Sequence, residues 1–171
     1  MKSETDKCKR DEMYRVKHKY SSALRRWIRG DYPALKYAPM FGASKEYVRQ
    51  FIEHQMMDRM YWADYGQLWH LDHIVTQCGF DLLDNREVAV CYHFMNIRPL
   101  FVHINKGRNS YTDAIRILGN RAKYFPKHKE IIDALIARVK ILMKQEPGDI
   151  DWSTFEFKEK PQATEYPEDK Q

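Results

Sequence analysis

The sequence predicts an α+β protein that is mostly helical and carries two short strands. Three observations lead there. Residues 129–144 place Ile131, Ile132, Leu135, Ile136, Val139, Leu142 and Met143 at helical spacing. Residues 45–57 do the same with Tyr47, Val48, Phe51, Ile52, Gln55 and Met56, so each stretch is a helix with one apolar face. Residues 68–75 and 98–101, by contrast, read as strands, and Pro99 in the second marks an edge or a strand start.

In chain order, residues 1–8 are polar and expected to fray. Residues 9–29 form a helix that Leu24, Trp27 and Ile28 seat on the core, while Lys17, Lys19, Arg25, Arg26 and Arg29 line its other faces. Those cations suit contacts to a phosphate backbone, or simply a solvated face. Gly30 to Gly42, with Pro33 and Pro39, is a loop or linker. Ser44 is placed to cap the helix at residues 45–57, and that helix's stripe is core. Asp84 caps a further helix over residues 85–94, with Glu87 completing a capping-box pattern and Val88, Val90, Cys91 and Phe94 buried. His93 is a structural residue in this scheme. Residues 102–108 open another helix, and residues 111–119 and 129–144 add two more. Between those two, Arg121, Lys123, Lys127, His128 and Lys129 interleave with Tyr124 and Phe125 as a basic connector able to touch a polyanion. Pro147-Gly148 ends the last helix, and an acidic tail follows.

Two parts of residues 69–109 carry chemistry. One is Asp72-His73, at the start of an apolar run. The other is a pair of asparagines, Asn96 and Asn105, with an apolar run between them. Hydrolysing a phosphodiester requires a base that activates water and a cation that neutralises charge on the leaving oxygen. A histidine near neutral pKa suits the first task, so activity should rise with pH through about 6–7. A divalent cation held by hard oxygens suits the second. His73 is the base candidate. Asp72 offers a carboxylate oxygen and Asn105 an amide oxygen, and Asn96 can bond backbone on either side of a loop and so fix where His73 points. Successive strand residues face opposite ways, so Asp72 and His73 share a site only if the strand bends or ends there.

The blocks Trp69-His70-Leu71-Asp72-His73, Phe80-Asp81-Leu82, Asn96-Ile97-Arg98-Pro99-Leu100 and Asn105-Lys106 resemble the core of the HNH endonucleases, above all the small HNH proteins of bacteriophage and other viral genomes. With an upstream block starting at Gly42, the resemblance spans residues 42–109. It implies a ββα-metal (HNH, or His-Me finger) core inside a mostly helical shell. It also implies that Asp72 and Asn105 hold a metal, that His73 is the general base, and that Asn96 braces the loop between the strands. Many relatives place a histidine where Asn105 stands. An all-oxygen pair favours Mg²⁺ or Mn²⁺ over Zn²⁺. Asn109, one turn beyond Asn105, and His70, on the Asp72 side of the strand, are candidates for supporting the ligands, although His70 fits equally well as cover for the core edge. Lys106 and Arg108 are placed to hold substrate phosphates, alongside Arg25, Arg26 and Arg29.

Composition bounds the rest. The chain has 171 residues, enough for one domain with extensions. It shows no membrane-length apolar run and no apolar signal region at its N-terminus, which predicts a soluble cytoplasmic protein, in the host cell if viral. Cys8, Cys78 and Cys91 form no CxxC pair, so a zinc-ribbon brace is not expected. Residues 1–30 carry a net charge of +6 and residues 146–171 a net of −5; the total is +5, so residues 1–145 carry +10, suited to duplex DNA. The expected organisation is a basic helical arm and linker (1–41), the HNH nuclease core (42–110), helices packing on that core (111–146) and an acidic tail (147–171). The expected function is metal-dependent hydrolysis of DNA phosphodiesters. The alternatives are a non-catalytic nucleic-acid-binding protein of the same fold, as a subunit of a larger viral or ribonucleoprotein assembly, and a protein–protein scaffold that kept the fold.

Overall fold

A computed structural model of the chain describes residues 4–30, 38–104 and 111–144. Among these residues six α-helices and two strands follow in the order α1 (Glu4–Arg29), α2 (Ala38–Phe41), α3 (Lys45–Glu53), β1 (Trp69–His73), α4 (Asn85–Tyr92), β2 (Ile97–Phe101), α5 (Tyr111–Tyr124) and α6 (Lys129–Lys144). Strands β1 and β2 pair antiparallel, with Trp69 opposite Phe101, Asp72 opposite Arg98 and His73 opposite Ile97. The architecture is α+β and mostly helical. A two-stranded ribbon is at best marginally stable alone, and here helices cover it. Trp69 and Ile97 from the strands join Trp27 and Ile28 of α1, Phe51 and Ile52 of α3, Leu118 of α5 and Ile132 of α6 in one core. The α5 and α6 helices pack on each other, and α6 also contacts α4 and the single-turn segments at Gln77–Gly79 and Phe94–Asn96.

α1 begins at Glu4, ahead of the expected start at residue 9, and its last two turns belong to the core. Leu24, Trp27 and Ile28 are buried, the last two completely, and Val16 and Tyr20 pack against the core from further up the helix. The cations Arg25, Arg26 and Arg29 stay exposed. The basic helix is therefore built into the body along its C-terminal half.

Ser44 caps α3 as its sequence indicated, its hydroxyl accepting from the Tyr47 N–H at 3.2 Å. α3 ends at Glu53, earlier than expected, as the chain tightens through bonds from Gln55 N to Ile52 O and from Met56 N to Glu53 O. Asp84 likewise caps α4, accepting from Arg86 N at 2.8 Å. Glu87 does not complete a capping box; its carboxylate takes Arg138 of α6 instead. α4 stops at Tyr92 because His93 is extended (φ −58°, ψ 140°), and the His93 Nδ1 accepts from Met95 N at 3.1 Å to open the turn at Phe94–Asn96.

α5 runs on through Gly119 to Tyr124. Arg121, expected in an exposed basic connector, is buried. Its guanidinium donates to the carbonyls of Met95 and Ile97 and to Gln55 Oε1, stapling α5 to both ends of the segment that leads into β2. Phe125 is buried too, and the His128 ring stacks edge-on against His93 and Phe94. Lys123, Lys127 and Lys129 are what remains of the exposed connector. α6 has the bounds its stripe indicated. Residues 102–104 form a turn rather than the first turn of a helix, and the rest of the expected motif helix lies outside the described residues.

Candidate active site

The site is set by how β1 ends. After His73 the chain leaves the strand, and Asn96 fixes the departure. Ile74 N donates to the Asn96 carbonyl at 2.8 Å, and Val75 N donates to Asn96 Oδ1 at 2.8 Å. Asn96 Nδ2 in turn donates to Val75 O at 3.2 Å and to Cys91 O at 2.8 Å. The side chain is fully buried, and each of its polar atoms is used. Asp72 and His73 are successive residues of β1, and both line one cleft.

That cleft has a volume of about 300 Å³ and runs between α1 and β1. Ser21, Leu24 and Arg25 form one wall; His70, Leu71, Asp72 and His73 form the other; Tyr65 and Gln77 complete it. His73 is half-buried, with its Nε2 shut off from solvent, and its ring meets Tyr92 edge-to-face at 5.1 Å. Burial pulls its pKa down to about 4; Asp72 pulls the other way, and Lys17 of α1 adds to the lowering. The imidazole is therefore a neutral proton acceptor across the physiological range, with its titration well below the 6–7 expected from sequence.

Tyr92 is itself anchored. Its hydroxyl donates to the Lys17 carbonyl at 3.1 Å, receives Gln77 Nε2 at 2.7 Å, and lies 3.1 Å from Ser21 Oγ. One phenol thus ties α1, the turn at Gln77–Gly79 and α4 together behind His73. Nothing local in the sequence signals this, since the partners lie far apart along the chain.

Asp72 pairs across the ribbon with Arg98, whose Nε and Nη2 both donate to Oδ2 at 3.2 Å. The pair is mostly buried, with side-chain exposures of 13% and 18%. The strand register puts these two residues opposite each other, and the register could not be read before the fold. Of the expected phosphate-contacting residues, Arg25 lines the cleft and Arg26 is exposed. Arg29 donates to the Tyr65 carbonyl at 2.8 Å and stacks over the Tyr65 ring at 5.0 Å. Asn105, Lys106, Arg108 and Asn109 lie outside the described residues.

Among the described residues no group of three or more His, Cys, Asp or Glu side chains forms a metal cage. Of the expected ligand pair, Asp72 lies within the described residues. Its carboxylate stands on the cleft wall next to the candidate base, and its oxygens suit a hard cation, although one of them already holds Arg98.

His93 is structural. Its Nδ1 accepts from Met95 N, so Nε2 carries the ring proton. Burial, followed by His128 and Arg121, lowers its pKa to about 4. Gly42, with φ +87°, makes room for it: a Cβ there would stand 2.1 Å from His93 Nε2.

No helix among the described residues is long and apolar enough to cross a membrane. No family model matches the chain, and no solved structure matches it. Two viral proteins are similar to it, both described as uncharacterized proteins of Acanthamoeba polyphaga mimivirus. L246 is 34% identical over 102 residues, covering 59% of this chain and 41% of its own length. L426 is 30% identical over 122 residues, covering 71% of this chain and 50% of its own length. The chain thus spans half or less of each viral relative it matches.

Proposed function

We propose that the protein is an HNH-type endonuclease that hydrolyses DNA phosphodiesters, with His73 as general base. One observation carries this reading: Asp72 and His73 line the same cleft, at a strand end that Asn96 braces from behind. A desolvated, neutral imidazole accepts a proton from water, the water oxygen attacks phosphorus, and the P–O3′ bond breaks. The 3′ alkoxide then takes a proton from solvent. A Mg²⁺ or Mn²⁺ ion at Asp72, and at Asn105 in the expected ligand pair, would supply charge neutralisation at the leaving oxygen. Arg25 stands on the opposite wall, where it can face the phosphate.

The runner-up is a nucleic-acid-binding protein of this fold that does not cut, and the Asp72–Arg98 pair favours it: a carboxylate neutralised by arginine holds a cation less well. A plasmid-nicking assay decides between the two. The expected result is nicking with Mg²⁺ or Mn²⁺ that stops with EDTA. DNA binding with no nicking above background in either metal supports the runner-up, and full activity in EDTA removes the metal from the mechanism.

A further inference from the structure

The basic helix α1 carries more than charge. Residues 13–29 hold six Lys and Arg and no acid. Tyr14, His18, Ser21 and Arg25 stand four, three and four residues apart, so they share one face of the helix. At one end of that line, Ser21 and Arg25 form a wall of the cleft. His18 and Tyr14 lie one and two turns further out on the same face, roughly 5 and 10 Å from Ser21 along the axis at about 1.5 Å per residue.

Neither ring packs in the core. Tyr14 is 69% exposed, more than any other large hydrophobic side chain among the described residues, and His18 is exposed as well. Their ring centroids lie 6.5 Å apart, with the planes 32° from parallel. The next aromatic on the helix, Tyr20, turns inward onto Tyr92 at 5.6 Å. Lys17 is exposed between the two outer rings in sequence, and its charge is felt at His73 in the cleft. One exposed tyrosine alone needs no explanation. A ring pair on an acid-free basic face that runs into a cleft has the make-up of a single-strand track, with cations for the backbone and aromatic faces for unstacked bases. A duplex keeps its base faces stacked on one another, so only an unpaired strand uses the rings.

We propose that α1 is a track for a single DNA strand, which runs along Tyr14, Lys17 and His18 and passes Arg25 into the cleft. Bases stack on the Tyr14 and His18 rings, and Lys17 and Arg25 take backbone phosphates. For binding, the proposal stands on α1 and the cleft; for what happens in the cleft, it rests on the nuclease reading. The preferred substrate is then unpaired DNA, as a free strand or one displaced from its partner, rather than continuous duplex.

Fluorescence anisotropy with a labelled oligothymidylate and a labelled duplex, at one salt concentration and without divalent metal, tests this. The wild type should bind the single strand more tightly. Tyr14→Ala should weaken strand binding about 5- to 100-fold, the scale of one lost base stack. It should leave duplex binding and the melting temperature unchanged, because the ring stands outside the core. Tyr14→Phe should bind as the wild type does, since stacking needs the ring and not the hydroxyl. Lys17→Gln should make the slope of log strand affinity against log salt shallower by about 0.7, the share of one phosphate on a single strand. Wild-type strand affinity in Tyr14→Ala overturns the track, and so does an equal loss on duplex. A loss in Tyr14→Phe as large as in Tyr14→Ala overturns it too, by making the contact a hydroxyl on phosphate. These results leave the nuclease standing if the wild type nicks plasmid. Tyr14-dependent strand binding in a protein that never cuts keeps the track and rejects the nuclease.

Discussion

The turn behind His73 and the cleft in front of it are finished in opposite ways. Behind, the Asn96 amide is completely buried, and it bonds backbone at Val75 and Cys91 with both its oxygen and its nitrogen. In front, Arg25 stands exposed, Tyr65 carries a buried donor without an internal partner, and Asp72 is paired with Arg98. A saturated network of buried polar groups specifies one geometry, whereas an unsaturated one accepts something from outside. The comparison implies a division of labour in which changes behind His73 lower stability and changes in front of it lower the proposed function.

His73→Ala should show the largest effect, slowing nicking by about 10²–10⁴-fold while duplex binding holds. An unchanged rate and pH profile would remove His73 from the chemistry. Next comes Asn96→Ala. It strips partners from Val75 N, Val75 O and Cys91 O in the interior, so urea unfolding should report a loss of about 3 kcal/mol, with the rate falling alongside. A loss below about 1 kcal/mol would mean that the turn holds itself, and the contrast between the two regions would collapse.

Acid should blur the division, because both His73 and His93 are held neutral with pKa values near 4. The unfolded chain takes up their protons near pH 6.5 and the folded chain only near 4. Their contribution is therefore complete above about pH 6.5 and is lost as pH falls to about 4, on the order of 2–3 kcal/mol per histidine. The same burial places the acid limb of nicking near pH 4. A limb near 6.5 would show that the His73 ring is hydrated in solution. The smallest effect is expected for Arg98→Gln. Removing a cation beside Asp72 should tighten Mn²⁺ binding by about three- to tenfold in calorimetry. Unchanged affinity would mean that Asp72 is not a ligand.

What the sequence disclosed followed from how local each signal is. Ser44 and Asp84 cap their helices where their spacing said they would, because a cap is decided within four residues. The stripe of α6 gave its limits for the same reason. Arg121 was misread because its neighbours Lys123, Lys127 and Lys129 are surface cations, and only the docking of α5 on β2 reveals three acceptors waiting for it. Arg98, Tyr92 and Tyr65 were missed on similar grounds. Arg98 matters only once the register sets it opposite Asp72, and the other two only once α1 closes over the cleft. Detaching α1 as an independent arm would also open the interior, since Trp27 and Ile28 are completely buried; neutralising Arg26 is the cleaner way to isolate its charge.

The Tyr92 hydroxyl has a further consequence, in the order of assembly. Its partners on α1, Ser21 and the Lys17 carbonyl, lie 71 and 75 residues earlier in the chain. During synthesis α1 is made before α4; α2 and α3 can meet Trp27 and Ile28 early, but the Tyr92 anchor waits until α4 has been made. Closing so long a loop is slow relative to forming the helices themselves. The cleft wall bearing Arg25 is therefore locked by Tyr92 only after the chain has been made through α4.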